Sequence, residues 1–337
     1  MESPLHEVLC GAMSQIRTPI RMYVISRDEP PSAFARSRAN CRVSLLGWEV
    51  LRLRPEETRG IACQVTGRKV PEKVIADLQA KTDGWVAGLI LLLRRGEFEG
   101  VEPKMLSRHT PQEIFDYIGG EIFKKLQPSV QAKLLQFAFL PKISAEAAKK
   151  ITGNEDAENL LRRLHRRNAF LNRLVGDATL FRFHPLLRDF LQMKARNTLG
   201  SEAFADLLRR SAAILVEEGD VEEGVRLYIC AGEIDGAVEL ILSRAPLFAE
   251  QGRFRTLEKL IDLLPVSIAD HSPWFIYWRA ICRLPYAVKE GCDQPKTGAS
   301  RELFTKALSQ FEPEKHQAGS YLALAGVLES ISMEMDD

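Results

Sequence analysis

From residue 201 to its end the chain is helix-periodic, interrupted only by short polar turns. Two of these turns, Glu218-Gly219 and Gln251-Gly252, lie 33 residues apart, and Gly232 divides the stretch between them into two helical segments. A helix pair that recurs every 33 to 34 residues or so cannot bury its apolar face alone and must stack on a neighbouring pair. This feature rules out a single compact α/β or β domain for the C-terminal half. It points to a superhelix with a concave face for a ligand or partner.

The N-terminal half reads differently. Residues 4–16 place Leu5, Val8, Leu9, Ala12, Met13 and Ile16 at helical spacing, and Pro19 stops that helix. Ile20 to Ile25 alternates and is rich in β-formers, so a strand is expected there, and a second around Trp48 to Leu53. Helices are expected from Pro55 and Pro71, and over the apolar run Gly84 to Leu93. Thr110-Pro111-Gln112-Glu113 is a capping box opening a helix to Leu126. Pro128 and Ser144 open the next two, and Glu155 to Arg167 makes a fourth. Two alternating runs, Phe170 to Val175 and Leu180 to His184, flank Gly176-Asp177 as a hairpin, and Pro185 opens a last helix. Helices, then a hairpin, then a helix is the layout of a winged-helix domain. The expected fold is therefore mainly α, in four parts. Residues 1–54 are a remnant of an α/β core, 55–100 a small helical domain, 101–197 a winged helix and 198–337 incomplete tetratricopeptide-like repeats.

Composition narrows the function classes. Among 337 residues, 46 Lys and Arg stand against 45 Asp and Glu, so no global charge draws the chain to nucleic acid or anionic membrane. The six cysteines are scattered without a CxxC and read as reduced thiols of a cytoplasmic protein, not as a zinc site or disulfide framework. The N-terminus has no secretory apolar core, and the ten residues Gly84 to Leu93 are too few for the ~20 that cross a bilayer. No membrane partner is expected. Walker A, GxGxxG, HExxH and GxSxG motifs are absent, and the histidines make no ligand spacing. An enzyme in its own right is not expected, nor any metal or catalytic residue.

Four segments carry a resemblance: YVISRDEPPSAFARSR (23–38), AKTDGWVAGLILLL (80–93), LLRRLHRRNAFLNRL (160–174) and FRFHPLLRDFL (181–191). Together, and in this order, they resemble the MalT-like family of signal-transduction NTPases, many of which end in a LuxR-type DNA-binding domain. Residues 277–288 and 321–337 resemble the helical-repeat region of some members. Family order is P-loop NTPase, small helical domain, winged helix, repeat sensor and output domain. The resemblance begins after the Walker motifs and stops inside the repeats, so a middle piece of a longer regulator is expected. It implies ATP or ADP with magnesium for the parent and none for this chain. It also implies an inducer or protein on the repeats, self-association of the parent, and DNA bound only through a C-terminal domain.

The resemblance further gives roles to individual residues. Arg27 matches a sensor arginine that reaches the terminal phosphate. Gly84-Trp85-Val86 lies where relatives carry Gly-x-Pro near the adenine, with Val86 in place of the proline. His184 matches a histidine held against the nucleotide at rest. On the residues alone, Arg27 is a solvated loop arginine, Trp85 a core side chain and His184 a cap on the following helix. The basic run Arg162, Arg163, His165, Arg166 and Arg167 permits DNA binding by the winged helix, or equally suits the negative end of its helix. A stand-alone repeat adaptor is the other alternative. Tyr228, Phe248, Trp274, Tyr277 and Trp278 are candidates to line the repeat face, against burial between repeats.

Overall fold

The computed structural model describes residues 4–15, 22–25, 30, 32–94, 112–166, 170–174, 180–284, 299–311 and 316–335. They fall into two compact units, Met1–Thr198 and Leu199–Asp337. The architecture is mainly α, and the one named sheet among the described residues is a two-stranded hairpin.

In the first unit, α1 (Pro4–Gln15) forms as its periodicity predicts. A single 3-10 turn at Ser32–Phe34 leads into the short α2 (Ala35–Ala39). Neither of the two strands expected in this stretch occurs among the described residues. Residues 22–25 take no regular secondary structure, and Ile25 is 99% exposed. Residues 48–51 are a helical turn, α3 (Trp48–Leu51), closed by Leu51 N–H to Gly47 O at 3.2 Å and Arg52 N–H to Trp48 O at 2.8 Å. The physical reason is the lack of a neighbour. An isolated β-former run has no ladder for its N–H and C=O groups, whereas one helical turn satisfies some of them locally.

The small helical layer is α4 (Pro55–Thr66), α5 (Glu72–Thr82) and α6 (Val86–Arg94). Pro55 starts α4 at its first turn, and Glu57 reaches back to the Arg54 N–H at 2.8 Å. Between α5 and α6, Asp83 and Gly84 both take positive φ, 47° and 78°. This tight reversal sends α6 back along α4 and sets the corner described below.

The winged-helix part begins with α7 (Gln112–Ile118), which widens into a π-turn at Gly119–Phe123. Thr110 and Pro111 of the expected capping box lie outside the described residues. Then come α8 (Pro128–Phe137), α9 (Ala145–Thr152) and α10 (Ala157–Arg166). Ser144 caps α9 by accepting from Ala147 N–H at 2.9 Å. Strands β1 (Leu171–Leu174) and β2 (Leu180–Phe183) pair antiparallel with Leu171 opposite Phe183, and Ile143 adds a bridge to Phe181. The Gly176-Asp177 turn lies outside the described residues. Helix α11 (Pro185–Thr198) closes the domain, with Arg188 Nε and Gln192 Nε2 both donating to Ala138 O at 3.1 and 3.0 Å. Phe137, Ile143, Phe181 and Leu186 form its fully buried centre.

The second unit is all helix. It runs α12 (Ser201–Glu217), α13 (Val221–Cys230), α14 (Ile234–Glu250), α15 (Phe254–Asp262), the short α16 (Val266–Ala269), α17 (Pro273–Cys282), α18 (Ala299–Phe311) and α19 (Gln317–Met335). Positive-φ glycines 219, 232 and 252 mark the predicted breaks. One core joins α13 to α17 around Ile241, Leu257 and Phe275, and a second joins α17 to α19 around Phe304 and Phe311. Phe248 and Tyr277 belong to these cores and are buried, while Tyr228, Trp274 and Trp278 pack against them half-buried. Trp274 stands edge-on to Phe311 at 5.0 Å and Tyr277 to Trp278 at 5.2 Å. Burial between helices is thus the reading the fold gives for Phe248 and Tyr277. Pro285, the expected stop of the α17 helix, lies outside the described residues.

Candidate functional site

Three of the four candidate residues meet at one corner. His184 sits between β2 and α11, only 2% exposed, and reaches across to the end of α5. Its Nε2 donates to Thr82 O at 2.6 Å, and its Nδ1 accepts from Leu186 N–H at 3.2 Å. A carbonyl can only accept and an amide N–H can only donate, so the two bonds fix the neutral tautomer with hydrogen on Nε2. The helix-capping role and the reach toward the Gly84-Trp85 turn therefore coexist in one side chain.

Aromatic rings enclose the imidazole. Trp85 lies edge-on at 6.0 Å, Phe170 at 5.3 Å and Trp48 at 6.1 Å. Burial pushes the His184 pKa down to about 4, with the Thr82 bond and Asp83 opposing the shift. Trp85 is half-buried and also packs on Phe170 and Tyr117. It lies so close to Gly88 on α6 that a Cβ there would collide with its ring.

Gly84 closes the corner. A Cβ on it would stand 2.6 Å from Arg52 Cγ and 2.7 Å from Leu53 O, and its φ of 78° suits glycine. Its carbonyl accepts from Leu53 N–H at 3.0 Å. Leu53 O in turn accepts from Gln79 Nε2 at 2.8 Å. The segment after α3 is thereby fastened to the end of α5.

Sequence reasoning missed Asp83 and its partners. Asp83 is 4% exposed and carries an ion pair to Arg52. Arg182 lies at 4.0 Å, and Asn172 Nδ2 donates to its carboxylate at 3.2 Å. One acid thus ties the segment before α4 to both strands of the hairpin. The Asp-Gly turn was legible, but its hairpin partners stand 89 or more residues further on and leave no local signal. Lys81, two residues back, has its pKa lowered by burial, with Asp189 on α11 opposing.

Arg27 lies outside the described residues. In the basic helix, Arg162 pairs with Glu158 at 2.6 Å and Arg163 with Asp156 at 3.7 Å, while His165 Nδ1 lies 2.9 Å from Leu171 O. Those two arginines face acids of their own neighbourhood, and His165 turns toward the hairpin. Among the described residues no metal-binding cluster occurs, and no helix is long and apolar enough to cross a membrane.

Comparison with known proteins matches this corner's domain to a family. Residues 119–203 match the MalT winged helix domain. Over these residues the chain resembles that family. It is 23% identical over 280 residues to the HTH-type transcriptional regulator MalT of Vibrio parahaemolyticus, covering 82% of this chain and 31% of that protein. It is also 26% identical over 319 residues to the serine/threonine-protein kinase PknK of Mycobacterium tuberculosis, covering 93% of this chain and 28% of the kinase. The chain thus spans under a third of the length of these curated relatives. A signal transduction ATPase with numerous domains and a tetratricopeptide repeat sensor, from Pyrococcus horikoshii, aligns at 15% identity. It covers 86% of this chain and 42% of that one with a TM-score of 0.40, a likeness too loose to carry an argument.

Proposed function

We propose that this chain is the regulatory middle of a MalT-like signal-transduction NTPase, joining a winged-helix clamp to a helical-repeat sensor. One observation carries the reading. The same stretch is shared by a protein named as a transcriptional regulator and by one named as a kinase. Two unlike outputs with one common segment support reading that segment as control rather than output. The corner supports it. His184, Asn172 and Arg182 of the winged helix all converge on Thr82 and Asp83 of the helical layer.

In this reading ATP or ADP with magnesium belongs to the parent regulator. Among the described residues, Gly84 is shut in by Arg52 and Leu53, and both nitrogens of His184 are bonded within the chain. These groups do not by themselves cradle a nucleotide, which needs a nest of backbone N–H groups and a lysine. For Arg27, Gly84, Trp85 and His184 a nucleotide contact is proposed only in the parent, and for His184 it requires giving up Thr82. The repeats would take an inducer or a protein, DNA would be bound through a separate output domain, and the setting is cytoplasmic.

The clamp is tested by a distance. Spin labels on the exposed Lys73→Cys and Arg162→Cys report α5 against α10. The wild-type corner should give one narrow distribution, and His184→Ala should broaden it while far-UV circular dichroism stays unchanged. An equally narrow distribution in the variant would remove the clamp. Calorimetry with Mg-ATP should show no binding heat, and a micromolar dissociation constant would overturn the assignment of the nucleotide site to the parent.

A further inference from the structure

Among the described residues, Cys41, Asp83 and Phe170 take positive φ without being glycine. Aspartate tolerates this region because its short polar side chain bonds locally. Cys41 lies in an exposed turn, where its N–H donates to Arg38 O at 3.0 Å. Phe170, at 54°, is the outlier, because a bulky ring offers no local bond to offset the crowding at Cβ. The strand register sets Phe170 opposite His184, one rung beyond Leu171 and Phe183. Phe170 O accepts from His184 N–H at 2.8 Å. The carbonyl that an extended Phe170 would use in return, His184 O, accepts from Arg188 N–H at 3.0 Å at the start of α11. The Phe170 ring stands edge-on to His184 at 5.3 Å and to Trp85 at 5.0 Å. Phe170 and His184 belong to the winged helix, and Trp85 belongs to the helical layer.

A bulky residue stays in the left-handed region only where its surroundings over-determine it. Here those surroundings are the His184 amide, the His184 ring and Trp85. The first two travel with Phe170, whereas Trp85 stands on the other side of the corner. We infer that Phe170 is a sprung catch: Trp85 holds its backbone in the left-handed region while the winged helix is seated, and it relaxes to negative φ once the winged helix lifts. The inference rests on the clamp proposed above and gives that clamp a sign. The strain counts against the seated state alone, so it weakens the clamp without removing any contact. A signal opens a two-state element only by binding the open form better than the closed one. Strain stored at Phe170 reduces the difference in affinity that such a signal must supply.

The test compares Phe170→Ala with Phe170→Gly in the whole chain. Both remove the ring, and they differ in that alanine disfavours a left-handed backbone while glycine does not. The spin labels at Lys73→Cys and Arg162→Cys read the seated and open populations. The open-to-seated ratio should be roughly 5-fold or more higher in Phe170→Ala than in Phe170→Gly. Equal ratios overturn the catch, since a backbone with the same φ in both states cannot shift their balance. Urea melts supply a second reading, in which Phe170→Gly should outlast Phe170→Ala, and the reverse order overturns the inference. A Trp85→Leu background tests what holds the backbone. There the gap between the two variants should close, and a gap that persists undiminished shows that Trp85 does not hold it and overturns the catch. The His184→Ala labels separate this from the clamp. If that variant broadens the distribution while Ala and Gly at 170 agree, only the catch is overturned. If it stays narrow, the clamp is overturned and the catch with it.

Discussion

The stretch Met22 to Leu51 and the winged helix at 128–198 hold comparable apolar side chains and treat them in opposite ways. In the first, Tyr23, Val24, Ile25, Leu45, Leu46, Val50 and Leu51 are exposed. In the second, Phe181 and Phe183 of an equally short strand are buried, and Phe181 has Ile143 bridged to it and the His165 ring of α10 edge-on at 6.2 Å. A β-former run takes its structure from what lies beside it and not from its own propensity. The winged helix brings its own neighbours, and the N-terminal stretch does not.

The widest gap between the regions should appear on truncation. Phe181→Ala removes a fully buried ring and should cost about 3–5 kcal/mol, whereas Ile25→Ala should stay within about 0.5 kcal/mol. Urea melts of both variants beside wild type measure it, and equal losses would erase the contrast.

A smaller effect follows from pH. The folded His184 titrates near 4, below its ordinary 6.5. Its contribution is therefore fully present above about pH 6.5 and is lost as the pH falls from there toward 4. At 1.36 kcal/mol per unit the loss is on the order of 3 kcal/mol. His184→Gln should flatten that part of the stability profile, and a variant with the wild-type slope would assign the dependence to other groups. The N-terminal stretch should show no matching transition by hydrogen exchange, with low protection at 22–51 throughout and high protection at 128–198.

Gly84→Ala ranks next. It combines a positive φ with contact against the Leu53 backbone, and should cost about 1–3 kcal/mol. The smallest change is Arg162→Ala, which removes an exposed pair to Glu158 and should cost under about 0.5 kcal/mol. A large loss there would mean that the basic helix has a partner within the chain.

Helix positions were legible because their stop signals are local. Pro55, Ser144, Pro185, Gly219 and Gly252 each mark a boundary through their own backbone chemistry. The strand around Trp48 failed because strand pairing depends on a neighbour that periodicity cannot see. The corner was half legible. Gly84, Trp85 and His184 were singled out by their motifs, and the structure brings them together. Asp83 escaped because its role depends on Asn172 and Arg182, which are near only in space.

The bond from His184 to Thr82 spans 102 residues. Contacts of such sequence separation carry a large loop-closure entropy and form late in folding. At ~5–20 residues per second of synthesis, the chain spends about 5–20 s between making Thr82 and making His184. During that interval the Asp83-Gly84 reversal leans only on partners already made, Arg52, Leu53 and Gln79. The helical layer is thus assembled first as a waiting platform, and the winged helix is the last piece to be seated on it.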